Sequence, residues 1–305
     1  MCGIAGLMYR KSSQDFKTGE ALIRMLDGCQ HRGPDSTGFA LYSPEPSGRL
    51  KLRFFIDSMV EPTVESSIAT IRKRLIELGA SIEDESHAWD NYNVTIHYDG
   101  DVQKLSYGLE QTAKVISIGT SLEIVKDVGS AYDVDDRYHV NKFHGTHGLG
   151  HVRLATESDV KPEAAHPFWA TGFADVAIVH NGQITNYWKM RRRLEQRGFV
   201  FTTDNDSELI AVYLADKLAN GAQLQDALST SIDDLDGTFS FLVSTEDEIG
   251  YAKDRLAAKP MIMYEDDDLV AIASEEVSLN RLFPGRALNT HEPAPGTYAT
   301  WSRSI

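Results

Sequence analysis

A cysteine stands at position 2, directly behind the initiator methionine, in the run Met1-Cys2-Gly3-Ile4-Ala5-Gly6. Removal of Met1 leaves Cys2 with a free α-amine and a thiol on one residue, a base and a nucleophile within a side chain's reach of each other. The thiolate is the reactive form. With a thiol reference pKa near ~8.5 and an α-amine near ~7.7–8.0, the amine can take the thiol proton directly or through a water. Any chain that happens to begin Met-Cys would show the same pair. Further polar strings follow in order: His31-Arg32-Gly33-Pro34-Asp35-Ser36-Thr37-Gly38, Gly150-His151-Val152-Arg153-Leu154-Ala155-Thr156, Ala165-His166-Pro167-Phe168, His180-Asn181-Gly182-Gln183-Ile184-Thr185-Asn186 and Asp204-Asn205-Asp206-Ser207-Glu208. Each has a plain reading of its own. Asn181-Gly182 reads as a tight turn, Asp206 as a helix cap and Cys29 as a small buried residue near a helix end. Ser36 lies in no Gly-x-Ser-x-Gly elbow and is not the nucleophile.

In this order the strings resemble the class II glutamine amidotransferases, whose glutaminase domain belongs to the N-terminal-nucleophile hydrolases. The resemblance covers residues 1 to about 50 and 145 to about 300. It implies an α+β fold, a four-layer αββα sandwich, and a set of roles. Cys2 would be the nucleophile. Asn181 and Gly182 would form the oxyanion hole, one through its side-chain amide and one through its backbone N–H. Arg153 would grip the α-carboxylate of L-glutamine through a bidentate pair that Lys cannot reproduce, and Asp206 would receive the α-ammonium. Thr156 and His166 would line the same pocket. Arg32 and Asp35, in the loop beside the nucleophile, would orient the N-terminus and close the pocket. Glu157 is given no role, and Glu208 is expected to serve the local fold.

The elements that must position these residues are partly readable. Residues 2–9 form a short apolar run that predicts a strand. Ala21, Leu22, Met25 and Leu26 fall at helical spacing across 18–27, with Gly28 as the stop. A strand follows at 39–42. Residues 50–145 depart from the compact pattern as an inserted α+β subdomain, with an amphipathic helix over 67–78 and strands over 92–98 and 113–128. The insert packs beside the active site or offers a docking surface to a partner. Beyond it come a strand at 176–179, a helix at 186–197 with a basic, solvated face, and a helix through Leu209 to Leu218 capped by Asp206 or Ser207. Short strands then dominate, at 238–244, 249–253, 261–264 and 269–274. Such runs beside helix pairs suggest two packed sheets with helices outside.

Composition narrows the rest. The 305 residues with 42% hydrophobic content suit one large domain. A formal charge of −15 argues against nucleic acid or an anionic membrane as partner. No stretch reaches the ~18 apolar residues of a membrane span, and no secretory leader opens the chain. Two cysteines give no disulfide framework and fit a reducing cytoplasm. His144, His147 and His151 span a Gly-rich stretch, so no metal site is expected, and no nucleotide motif is present.

The expected function is a glutaminase that converts glutamine to glutamate and ammonia through a Cys2 thioester. No second catalytic domain follows near residue 305, so the ammonia would pass to a separate synthase subunit. With its insertion, the chain most resembles the stand-alone amidotransferase-like subunit of glutamate synthase-related complexes, such as N-methylglutamate synthase. FMN and iron–sulfur clusters would sit on partner subunits, with no cofactor on this chain, because two cysteines cannot hold a four-cysteine cluster. Two alternatives stay open: a structural or regulatory subunit with little glutaminase activity, and a hydrolase of another γ-glutamyl amide.

Overall fold

The computed structural model describes residues 2–10, 17–44, 48–56, 64–155 and 160–303. In chain order, β1 (Gly3–Tyr9), α1 (Thr18–Cys29) and β2 (Ser36–Tyr42) open the fold. An excursion follows through β3 (Leu50–Phe55), α2 (Val64–Glu77), β4 (Ser81–Ala88), β5 (Asn91–His97), α3 (Val102–Glu110) and β6 (Val115–Gly119). The chain returns through β7 (Leu122–Val128), α4 (Ala131–Tyr138) and β8 (His147–Arg153). It continues with β9 (Phe168–Trp169), β10 (Ala177–Ile184), α5 (Tyr187–Glu195), α6 (Asp206–Ala219), α7 (Leu224–Asp234), β11 (Gly237–Ser244) and β12 (Glu248–Lys253). It closes with β13 (Ile262–Glu265), β14 (Leu269–Ala273), α8 (Glu276–Leu282) and β15 (Tyr298–Ser302).

Among the described residues these strands make three antiparallel sheets. A six-stranded sheet runs β13-β14-β1-β8-β2-β7, and a five-stranded sheet runs β15-β12-β11-β10-β9. The two pack face to face. β1 shows why its run is apolar without alternation: both of its faces are buried. Ile4 and Met8 join Leu149, Val179, Leu242 and Ile249 between the sheets, while Ala5 and Leu7 meet Leu22, Met25 and Leu26 of α1. On the far side of the five-stranded sheet, Ile178, Phe241 and Val243 pack against Leu209, Val212 and Leu228 of α6 and α7. The result is helices, sheet, sheet, helices: the four-layer αββα sandwich of the N-terminal-nucleophile hydrolases.

The third sheet, β4-β5-β3-β6, belongs to the excursion. Its apolar face, including Leu52, Phe54 and Val94, covers Ile71, Leu75 and Leu105 of α2 and α3. The chain then leaves this sheet, and β7 pairs with β2 from Ser36↔Val128 to Tyr42↔Leu122. Asp175 fixes the crossing. Its carboxylate accepts the backbone N–H groups of Thr120, Ser121 and Leu122, each at 2.9 Å, together with the Thr120 and Ser121 hydroxyls.

Three local expectations change. The run over 113–128 is not one strand: it divides at the Asp175 anchor into β6 of the third sheet and β7 of the six-stranded sheet. Gly28 does not stop α1, which runs to Cys29. A Cβ at Gly28 would lie 2.8 Å from the Ser278 Cα, so this glycine admits α8 against α1. The cap of α6 is Asn205, whose side chain accepts the Ser207 N–H at 2.8 Å. Asp206 faces elsewhere, and Ser207 is already inside the helix.

Candidate active site

Cys2 sits at the head of β1, in the middle of the six-stranded sheet. Its sulfur lies 3.9 Å from the Leu154 carbonyl oxygen. Its own carbonyl accepts two hydrogen bonds, from Arg32 Nε at 3.0 Å and from Asn181 Nδ2 at 3.0 Å. Arg32 is held in turn by Glu275, which also pairs with His31 at 3.1 Å. Two residues on, the strand is also fixed: Ile4 N–H donates to Ser274 Oγ at 3.0 Å. The loop after α1 thus clamps the Cys2 backbone, and a charged donor makes one of the bonds.

Asp35 works on the facing strand. Its carboxylate accepts the Ala155 N–H at 2.7 Å, and its own N–H donates to the Arg153 carbonyl at 3.0 Å. Arg32 and Asp35 therefore flank the residue 153–155 turn and the cysteine without lining the cavity itself. Gly38, which ends the same string, lets a further segment cross β2: a Cβ there would lie 2.1 Å from the His166 carbonyl oxygen.

Asn181 and Gly182 lie inside β10, so the tight-turn reading of this pair fails. Gly182 has φ +144°, and a Cβ on it would lie 2.0 Å from the Thr238 carbonyl oxygen. No residue with a side chain fits there without moving β11. Asn181 commits one of its two amide N–H groups to Cys2 and keeps the other.

Cys2, Arg153, His166, Asn181, Gly182 and Asp206 all line one cavity of about 970 Å³, with Lys114, Lys161, Glu163 and Tyr187 also in its wall. Thr156 lies outside the described residues. Asp206 accepts the Ile184 N–H at 3.0 Å and sits 3.4 Å from His180 Nδ1. Burial pushes its carboxyl up, but His180 and the backbone donors of Ile184 and Ser207 outweigh burial and hold it below the usual carboxylate range. An ionised carboxylate therefore faces the cavity at neutral pH.

His166 shares a hydrogen bond with Ser207 Oγ at 2.7 Å and stacks on His151 with ring centroids 4.0 Å apart. Burial first, and then the neighbouring His151 and His180, push its imidazole well below the usual range, so it stays neutral. His147 stacks on Tyr42 and shares a bond with the Thr245 carbonyl oxygen at 2.8 Å. Among the described residues no group of His, Cys, Asp or Glu side chains is placed to hold a metal ion.

Several contributors carry no readable signal. Ser207 also bonds His180 Nδ1 at 3.1 Å, so one hydroxyl ties two cavity imidazoles together. Glu275 reaches Arg32 across 243 residues of sequence, which no local pattern shows. Glu208 is deeply buried and accepts the Thr202 and Thr203 N–H groups at 2.9 and 2.7 Å, shaping the cavity loop as its local-fold reading implied. Arg191 departs from the solvated basic face. It stacks over Phe201 and bonds the Thr203 carbonyl oxygen at 2.9 Å, fastening α5 to that loop.

The family model for the glutamine amidotransferase domain matches residues 151–281. A Methanothermobacter thermautotrophicus protein, provisionally named a glutamine amidotransferase, is 40% identical over 294 residues, covering 92% of this chain and 94% of its own. The chain belongs to the class II glutamine amidotransferases. The glutamine amidotransferase-like protein GlxB of Rhizobium meliloti is 36% identical, covering 99% of this chain and 98% of its own. Among solved structures, the glutamine phosphoribosylpyrophosphate amidotransferase of B. subtilis, complexed with ADP and GMP, superposes with a TM-score of 0.62 at 19% identity. That match covers 98% of this amidotransferase and 47% of the B. subtilis chain, and it speaks to fold alone. No helix among the described residues of the amidotransferase is long and apolar enough to cross a membrane.

Proposed function

We propose that this amidotransferase is a glutaminase whose nucleophile is Cys2. The reading is carried by one observation: a thiol at the head of a central strand opens into the same cavity as a guanidinium, Arg153, and an ionised carboxylate, Asp206. Opposite charges of this kind suit the two ends of a free amino acid. Once Met1 is gone, the Cys2 amine takes the thiol proton. The thiolate attacks the amide carbon of glutamine, and the carbonyl electrons move to an oxyanion that receives Asn181 Nδ2 and the Gly182 N–H. The C–N bond then breaks, the protonated amine returns its proton to the departing ammonia, and a water releases glutamate from the thioester.

The ammonia goes to a separate synthase subunit in a reducing cytoplasm. A glutamate synthase-like complex such as N-methylglutamate synthase fits, with FMN and iron–sulfur clusters on the partners. Co-purification with such a subunit tests that part.

The chemistry is tested by intact mass and by Cys2→Ala. The mature protein should lack Met1, and the variant should release no glutamate from glutamine. An assembled complex that turns glutamine over unchanged after Cys2→Ala would instead leave the chain a structural or regulatory subunit. Arg153→Lys should raise the glutamine KM by about tenfold or more, because a single ammonium cannot form the paired bonds. An unaffected KM points to another γ-glutamyl amide.

A further inference from the structure

β7 carries a lysine where a strand buried in a sandwich would hold an apolar residue. Lys126 is 6% exposed. Its ammonium donates to three main-chain carbonyl oxygens, those of Ala165 at 2.8 Å and of Glu163 and Pro167 at 3.3 Å each. It also lies 4.9 Å from the centroid of the Phe168 ring. An ammonium has three N–H donors, and here three acceptors meet them. Above about pH 7, where the buried amine has released its proton, two N–H donors remain for the three carbonyls.

These carbonyls belong to one short stretch of chain that crosses β2 above Gly38 and then enters β9. The same stretch supplies Glu163, Ala164, His166 and Phe168 to the cavity wall. Lys126 therefore touches nothing that reacts, yet it holds the outer side of the wall whose inner side faces Cys2. β7 is the first strand after the excursion that begins at β3, so the chain's return to the main sheet delivers this lysine to the back of the cavity wall.

We infer that Lys126 is a positioning residue for the reaction proposed at Cys2, nailing the 163–167 strap in the place where His166 and Phe168 complete the glutamine cavity. The inference rests on the glutaminase reading for its kinetic part only. Loosening a wall that orients substrate by an ångström can change rates or binding by ~10²-fold.

The test uses the full chain with Lys126→Met, which keeps the length of the side chain and removes its donors. Two readouts are taken. Backbone hydrogen exchange across residues 163–168 should quicken by about tenfold, while exchange in β1 and β10 stays as in the parent. The glutamine KM should rise by about tenfold with kcat within about threefold, the split expected when a wall is loosened and the nucleophile is left alone. Lys126→Gln, which keeps two N–H donors and no charge, should fall between the two and serves in place of Lys126→Met if that variant does not fold. Unchanged exchange at 163–168 in a folded variant overturns the inference. Exchange that quickens equally in β1 and β10 overturns it too, since the lysine would then support the fold in general. Because exchange needs no turnover, quickened exchange in a protein that never hydrolyses glutamine supports the strap and counts against the glutaminase reading alone.

Discussion

At the scale of single residues, the carbonyl of Cys2 separates two kinds of partner. Asn181 holds that carbonyl and keeps one N–H in reserve, whereas Arg32 holds it and pairs with Glu275. Asn181→Ala should lower kcat by ~10²–10³, the usual cost of one oxyanion donor. Arg32→Met removes only the backbone clamp and should cost less, measured in the same glutaminase assay. Lys126 makes a thermodynamic prediction. Burial first, then Lys114, lowers its ammonium from 10.5 to about 7, against the pull of Glu163, Glu208 and Glu110. Between pH 7 and 10.5 the unfolded chain holds a proton that the folded chain has released, so stability rises with pH across that window. Below pH 7 the penalty is complete. Urea denaturation should show this rise in the parent and lose it in Lys126→Met. The site candidates legible in sequence were those within short strings: Cys2 heads β1, Arg153 ends β8, Asn181 and Gly182 lie within β10, Asp206 begins α6, and the fold brings all five to one cavity. Lys126, Ser207 and Glu275 were not legible, because their work depends on partners that only tertiary packing supplies.

At the scale of elements, periodicity picked out α1, α2, α5, α6 and several apolar strands, but it ran β6 and β7 together and passed over β3, β8 and α7. β4 was missed as well. Its sequence Ser81–Ala88 exposes most of its side chains and carries Glu83, Asp84 and Glu85, the signature of a guarded sheet edge, which hides it from any apolar pattern. α3 and α4 were overlooked although their caps are written in the sequence: Asp101 accepts the Gln103 and Lys104 N–H groups, and Ser130 and Asp133 form a reciprocal capping box. Gly28 misled for a different reason, because a glycine that admits a neighbouring helix looks the same in sequence as one that ends its own. Gly28→Ala should therefore destabilise the fold by ~1–3 kcal/mol through the clash with α8, although alanine favours helix. Chemical denaturation checks the sign. Asp175 tests the join of the third sheet. It adopts φ +59°, which asparagine also tolerates. Asp175→Asn keeps the backbone but turns an NH2 toward N–H groups that need an acceptor. A loss of ~2–3 kcal/mol in urea denaturation is expected.

At the scale of the whole molecule, the four layers bury several imidazoles so deeply that burial outweighs every stabilising partner. His147 and His151 are lowered by burial to about 4 and about 3, with hydrogen bonds to the Thr245 and His180 carbonyl oxygens only partly offsetting this, and burial holds His166 well below the usual range. A depressed histidine stabilises the fold above its unfolded value near 6.5 and loses that contribution as the pH falls through the folded values. Stability should therefore drop steeply from pH 6.5 to about pH 4, and His147→Gln should flatten part of that slope in pH-dependent thermal melts. The sandwich also orders its own assembly. β1 is the first strand in sequence, yet its neighbours are β8 and β14, the latter spanning Leu269–Ala273. During synthesis the cysteine-bearing strand stays half-clad until residues 269–273 have left the ribosome. If Cys2 serves as proposed, that interval leaves the residue ahead of it open to a trimming peptidase before β14 closes over the strand.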